Sequence, residues 1–532
     1  MLFSAAAAAA FLAACSQTYG ESPLVHPTYN PFIPLDGNPL STPPVGQALP
    51  PPSPYPTDEP FIVPTAIPLD ELIPRLRPSN QPFLTPTPDA PHPLPAPRIH
   101  EEQYIAQPGD TLGDIAAAYG IGLEDLMQAN GLSDANLLNA GQTLIIPLSR
   151  PELTASTFKI IPDSELVHGP ASVTFDTVEF IQRNGGYLAV HAEEVNGELM
   201  TAAQIVTRVA ENYSINPRLL LALIEHRSGW VTNPFPPQTD FALGIADPSR
   251  YGLYYQLTYA ADELNRGYYL WRAGAVGNWV LADGSVAPLD PTINAGTAGV
   301  QQFFAKLDDR LAWASDVGAP EGNPFSFYNT YFLLFGEHPF DYAVEPLVPD
   351  GLQQPRMTLP FERGTAWVYT GGPHGGWDSG SAWAALDFSP IVEDSGCFTT
   401  DAWVTAVTDG LIIRTGEGQV IQDIDGDGHE QTGWNVLYMH VEARDRVARG
   451  TYVRAGERIG HPSCEGGFSN ATHLHIARKY NGEWISAGGS MPFIMDNWVS
   501  SSAGAEYDGF LTRGNVILEA LEAISDLNTI LR

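Results

Sequence analysis

Residues 21–100 carry 24 of the chain's 47 prolines, in runs such as P-P-P-S-P-Y-P and P-T-P-D-A-P-H-P-L-P-A-P. Proline fixes φ and removes a backbone donor, so neither a helix interior nor a central strand is built from such runs. No hydrophobic period survives there. The stretch reads as extended, solvated chain, a semi-rigid spacer over 16–101. About 430 residues follow it, length for about three further domains.

The balance of 26 Lys+Arg against 61 Asp+Glu gives a formal charge of −35. That excludes a typical nucleic-acid binder, which needs a cationic surface. Residues 1–14, M-L-F-S-A-A-A-A-A-A-F-L-A-A, are apolar but too short to span a bilayer, which takes roughly 20 residues. They fit the apolar region of an export signal over 1–15. No Lys or Arg precedes the run. Leu12-Ala13-Ala14-Cys15 resembles the bacterial lipobox. That resemblance implies lipidation of Cys15 and an extracytoplasmic protein anchored to a membrane. Cys397 and Cys464 then remain, either as a disulfide, which export favours, or as two core thiols.

Residues 102–148 hold a compact unit. Asp110 or Thr111 can cap a helix ending near Gly120, and a second short helix runs from about Leu123 to Ala129, stopping at Gly131. Short apolar strands flank the pair. The P-G-D-T-L opening and the N-A-G-Q-T-L-I-I-P ending resemble the LysM domain, a βααβ module. The resemblance implies binding of N-acetylglucosamine-containing glycans, and hence of peptidoglycan. The groove would be lined by Gly109, Asp110, Thr111 and Asn130.

The segment 165–348 is mostly helical in pattern. I-N-P-R-L-L-L-A-L-I-E-H-R-S-G-W at 215–230 resembles the catalytic-helix region of lytic transglycosylases and other lysozyme-like enzymes. There the glutamate of a Glu-Ser-Gly-aromatic stretch is the general acid. Here Arg227 occupies that place, and arginine delivers no proton at neutral pH. Glu225 lies two residues earlier, about 200° around the helix. Y-G-L-Y-Y-Q-L at 251–257 resembles a second stretch of the same enzymes. The expectation is a lysozyme-like domain that has lost its acid and keeps a structural or glycan-holding role.

Residues 355–500 switch to short Val/Ile/Trp/Tyr-rich runs between glycine-containing turns, an all-β pattern. Six of the 13 histidines fall between 374 and 475. In T-H-L-H-I, His473 and His475 stand two apart, so a strand places both on one face. His374, Asp387 and His440 precede them. A catalytic zinc takes three protein ligands and leaves a fourth position open.

This order of residues resembles the lysostaphin/LytM-type zinc endopeptidases of peptidoglycan, and more narrowly their beta-lytic, staphylolysin-like branch. The first His and Asp of that branch are well separated, as His374 and Asp387 are here. The family's H-x-H matches His473-Leu474-His475, and its single preceding His matches His440. V-A-R-G-T-Y-V-R-A-G-E-R-I-G-H at 447–461 resembles its glycine-containing turn. The resemblance implies a duplicated, hybrid-motif-like β fold. It implies zinc held by His374, Asp387 and His475. His473 would be the general base on the attacking water. His440 would orient that water or stabilise the oxyanion.

Two further features stand apart. D-I-D-G-D-G at 423–428 places Asp423, Asp425 and Asp427 at the spacing of a calcium loop, although Trp434 stands where such loops carry a glutamate. N-V-I-L-E-A-L-E-A-I-S-D-L-N-T-I-L at 515–531 has apolar residues at helical spacing and predicts a C-terminal helix within 501–532. Together these resemblances imply a multidomain, exported, LysM-targeted zinc endopeptidase of stem or cross-bridge peptides. Its rivals are a non-catalytic wall-binding scaffold, an activator of another hydrolase, or a secreted peptidase acting on glycine-rich proteins.

Overall fold

The computed structural model describes residues 89–532 apart from 97, 150–152 and 393–395. Cys15, the signal-like segment and most of the spacer lie outside the described residues. No helix among the described residues is long and apolar enough to cross a membrane. The described end of the proline-rich stretch, expected to be a free solvated spacer, stays exposed or half-exposed but docks on the helical domain. Asp89 pairs with Lys159 at 2.9 Å, and His92 stacks on Trp271 with ring centroids 4.8 Å apart. Backbone bonds from Asp89 and His92 to Thr292 and Pro291 supply partners that sequence pattern does not reveal.

The first domain is the expected βααβ unit. Strands β1 (Glu102–Ile105) and β2 (Thr143–Ile146) pair antiparallel around α1 (Leu112–Ala118) and α2 (Leu123–Ala129). The Thr111 side chain caps α1 by accepting the Asp114 N–H at 3.1 Å. Leu112, Ile115, Leu126, Leu144 and Ile146 form its core.

The middle domain is built on α3 (Ala202–Tyr213), α4 (Pro217–Ser228), α5 (Leu253–Arg272) and α6 (Ala295–Leu307). Each start has a local cause. Thr201 and Gln204 form a capping box for α3, and Asn216 caps α4 with Pro217 at its first position. The Glu193 carboxylate accepts the Leu253 and Tyr254 N–H groups at 2.8 Å each, opposite the positive end of α5. Gly267 lets α5 and α6 close together. A Cβ there would lie 2.7 Å from the Ala298 carbonyl oxygen.

The C-terminal domain is a β structure around β3 (Ala366–His374), β4 (Ala385–Pro390), β5 (Gly410–Gly416), β6 (Gln419–Asp423), β7 (Trp434–Met439) and β8 (Leu474–Tyr480). They lie side by side in the order β5-β6-β7-β8-β4-β3. Strands β9 (Trp498–Ser502), β10 (Gly509–Arg513) and β11 (Val516–Glu519), with Ile494–Met495, form a second sheet. The expected C-terminal helix is not there. Its residues form β11 and β12 (Thr529–Leu531), and β12 pairs along β3 with Ile530 opposite Trp367. The buried Asn528 shapes the turn between them, donating to the Leu521 carbonyl at 2.7 Å. Open strand edges on β3 and β10 outweigh a helical spacing that short apolar runs share with strands. The β domain therefore extends past residue 500 to the last strand.

The two faces of the large sheet have different neighbours. Val436, Tyr438, Leu474 and Ile476 join the core of the β domain, whereas Leu437, Met439 and Ala477 join the core of the helical domain. Strand alternation produces this division.

Cys397 and Cys464 form a disulfide, resolving the alternative their number leaves open. The bond closes a loop of 67 residues, worth about 4 kcal/mol in the chain-entropy account. Thr472 N–H donates to the Gly396 carbonyl beside it, so the bridge and this bond hold two segments near the paired histidines. A double Cys397→Ser, Cys464→Ser variant is expected to lose about that amount in denaturant unfolding. An unchanged midpoint would remove the bridge from the list of stabilising elements.

Candidate active site

Adjacent strands bring the site together. Register places His475 of β8 opposite Asp387 of β4, and β3 pairs with β4 through Gly371 opposite Asp387, ending on His374. His374 Nε2 and His475 Nδ1 are 2.9 Å apart, and each is 3.3 Å from Asp387 Oδ1. Four-coordinate zinc with bonds of about 2.0–2.1 Å has ligand-to-ligand edges of about 3.3 Å. Asp387 Oδ1 is buried and accepts no hydrogen bond of ordinary geometry among the described residues. The donor set and the orphaned oxygen both fit that metal.

Backbone carbonyls set each imidazole. His374 Nδ1–H donates to Gly372 at 2.8 Å, and His475 Nε2–H donates to Gly376 at 3.2 Å. Each leaves its other nitrogen for the metal, the usual arrangement around a histidine ligand. His473 Nδ1–H donates to Ala471 at 2.8 Å and His440 Nδ1–H to Glu465 at 3.1 Å. Both therefore keep an Nε2 lone pair. Their rings are 4.5 Å apart, and His473 Nε2 is 3.9 Å from Asp387 Oδ1.

Charge follows from burial and pairing. Burial opposes ionisation of Asp387, but His374 and His473 outweigh it and hold the carboxyl well below the usual range. Burial also works against charged His374, yet Asp387 raises its pKa above the ordinary value. Burial lowers His475. It lowers His440 to about 3, with His473 and His475 adding to the effect, so that ring is neutral at physiological pH. His440 also has φ +64°, a strained conformation of the kind that gathers at functional sites.

Sequence reasoning missed Tyr507. Its ring stacks on His374 at 4.2 Å and 18°, and it has φ +67°. It lies in the turn between β9 and β10, and no local signal marks it.

The other candidate residues are placed as follows. Arg227 pairs with Asp308 at 2.8 Å, and Glu225 accepts the Val231 and Thr232 N–H groups at 3.1 Å each, so both side chains are spent inside the helical domain. Asp110 accepts from the Tyr104 hydroxyl at 2.9 Å. Asn130 exchanges bonds with the Ile145 backbone at 2.7 Å each, pinning α2 to β2. Gly109 and Thr111 remain at the surface of that unit. Asp423, Asp425 and Asp427 bring carboxylate oxygens within 4.8 Å of one another. Burial and then the two neighbouring aspartates push Asp425 up to about 8.

Three family models match separate parts of the chain: LysM domain over 104–147, LasA N-terminal domain over 159–345, and peptidase family M23 over 397–487. The chain carries a LysM domain, a LasA N-terminal domain and an M23 peptidase domain. The matched M23 segment contains His440, His473 and His475; His374 and Asp387 precede it. The segment resembling lysozyme-like enzymes is the one that matches the LasA N-terminal domain. No curated protein matches the chain. Among solved structures, the M23 metalloprotease pseudoalterin from the deep sea is 25% identical over 31% of this chain and 95% of its own, with TM-score 0.26. The lysostaphin catalytic domain of Staphylococcus simulans is 28% identical over 23% of this chain and 87% of its own, with TM-score 0.17. Helicobacter pylori Csd3 is 16% identical over 25% of this chain and 33% of its own, with TM-score 0.18. The M23 and LysM domains support a metallopeptidase directed at peptidoglycan, outside the cytoplasm.

Proposed function

We propose that this protein is a zinc-dependent endopeptidase that cuts stem or cross-bridge peptides of peptidoglycan. The observation that carries the reading is the set of four imidazoles, each fixed by a backbone carbonyl. Two present their free nitrogens to one carboxylate oxygen, and two stand beside them. His374, Asp387 and His475 would hold the metal. When bound, zinc supplies Lewis-acid activation of water and of the scissile carbonyl. His473 Nε2 takes the proton from the attacking water and returns it to the leaving amine. His440, neutral with Nδ1 already donating, offers Nε2 as an acceptor. That state orients the water's O–H and does not donate to an oxyanion.

The LysM unit would hold glycan strands along the loop carrying Gly109, Asp110 and Thr111 and near Asn130. Cys15 would anchor the chain to a membrane, with the spacer setting the reach of the later domains. The Asp423–Asp427 loop is a candidate calcium site, tested by the thermal midpoint in a calcium titration.

The deciding experiment is mass spectrometry of soluble products from purified peptidoglycan, with and without a zinc chelator. Cleaved peptide bonds that disappear with chelator are expected. No peptide cleavage on several wall chemotypes would move the reading to a scaffold or activator. Deletion of 104–147 is expected to weaken binding to sedimented wall while cleavage of a soluble wall peptide persists. Equal wall binding after deletion would argue against the targeting role.

A further inference from the structure

The loop joining β3 to β4, residues 375–384, lies between two of the proposed metal ligands, His374 and Asp387. Its outer part, 378–380, reaches away to the helices. It is held by the helical domain. Asp262 of α5 accepts the Gly380 N–H on Oδ1 at 2.6 Å. Arg266 donates to Asp262 Oδ2 at 3.1 Å and to the Ser379 hydroxyl at 2.8 Å. Tyr213, at the end of α3, donates its hydroxyl to Asp378 Oδ2 at 2.9 Å. Asp378 has φ +55°, a conformation that non-glycine residues keep only where the surroundings fix it. Gly380 is glycine for steric reasons: a Cβ there would lie 2.0 Å from the Asp262 carbonyl oxygen.

Inside the loop, Gly376 N–H donates to the Ala382 carbonyl at 3.0 Å and Trp377 N–H to the Ser381 hydroxyl at 2.9 Å. A shift at 378–380 is thereby transmitted to 376. The Gly376 carbonyl is the acceptor that leaves Nδ1 of His475 free for the metal. A second tie runs the same way. The ring of Trp484 lies under Gly376, and the Trp484 backbone N–H donates to the Tyr269 hydroxyl of α5 at 2.9 Å.

We propose that the helical domain is part of the metal-site scaffold, with Asp262 and Tyr213 as positioning residues that set His475 through the Gly376 carbonyl. The inference rests on the zinc reading given above. Partners that orient a ligating histidine alter metal affinity by roughly 10- to 100-fold. A domain that is only docked would leave that affinity unchanged.

The test measures zinc affinity of the full chain by competition with a chromophoric chelator, and the visible spectrum of the cobalt-loaded protein. Asp262→Ala and Gly380→Ala are each expected to weaken zinc about 10-fold and to change the cobalt bands. Asp262→Asn keeps an acceptor for the Gly380 N–H and is expected to recover most of the wild-type affinity. Tyr213→Phe removes only a hydroxyl and puts nothing against α5, and it is expected to weaken zinc in the same direction, so the test survives if Asp262→Ala or Gly380→Ala fails to fold. If His475→Ala abolishes tight zinc binding while the loop and Asp262 variants keep the wild-type affinity and spectrum, the positioning role is overturned and the zinc reading stands. If the wild type binds no zinc, or His475→Ala changes nothing, the zinc reading falls and this inference with it.

Discussion

His473→Ala is expected to lower kcat on peptidoglycan by roughly 10²- to 10⁴-fold while the protein still binds zinc. The three donors nearest one another are His374 Nε2, Asp387 Oδ1 and His475 Nδ1, at 2.9–3.3 Å. His473 Nε2 is farther out, at 3.9 Å from the carboxylate oxygen, with its other nitrogen committed to Ala471. It is therefore placed to reach a water beside the metal without ligating it. His475→Ala should instead remove metal and activity together. Zinc stoichiometry alongside release of soluble peptides separates the two variants. Near-wild-type turnover in His473→Ala would transfer the base to His440, whose Nε2 is the other free lone pair.

The pairing of His473 and His475 was legible because extended chain repeats every two residues: His475 lies in β8, and His473 stands just before it in extended chain bridged to Ser463. The βααβ unit was legible for a similar reason. Its caps and turns lie within a few residues of what they stabilise, as Thr111 does for α1. Long-range partners left no such mark. Tyr507 reaches His374 from another sheet, and Asp262 reaches Gly380 across 118 residues. The segment 515–531 misled because V-I-L-E and T-I-L are short enough to suit either a helix or a strand. The free edge of β3 decided the matter for T-I-L, and β10 for V-I-L-E. Arg227 shows the limit of a motif. Its place in the sequence pattern is that of an acid, and its place in the fold is an ion pair with Asp308.

The second large effect is expected at Glu430, which has no part in the chemistry. Its buried carboxylate takes both arms of Arg414 at 3.0 Å each and also pairs with Lys479 on β8. Arg414 Nη1 continues to Asn212 of α3 at 2.8 Å, so the cluster lies where the helical domain meets the sheet. Burial pushes Glu430 up, but Arg414 and Lys479 outweigh it and bring it from 4.5 down to about 2. Burial lowers Lys479, and the like charge of Arg414 adds to that, against the pull of Glu430. Glu430→Gln keeps the shape and leaves the buried Lys479 without its paired anion and the half-buried Arg414 with only Glu211, at 3.9 Å, so a loss of about 3 kcal/mol at neutral pH is expected. The pH dependence has a definite sign. A depressed carboxylate stabilises the fold above its unfolded pKa, and that contribution, about 3 kcal/mol, fades as pH falls from 4.5 toward 2. The variant lacks it at every pH. His168, lowered to about 3 by burial, also weakens the fold as pH falls below 6.5 in both proteins. The difference between wild type and variant, not the wild type alone, therefore reports on Glu430. Denaturant midpoints measured from pH 7 to pH 3 should converge as acid is added. Midpoints already equal at pH 7 would mean that desolvation of the three ions cancels their attraction, leaving the apolar contacts around Leu437, Met439 and Ala477 to hold the two domains together.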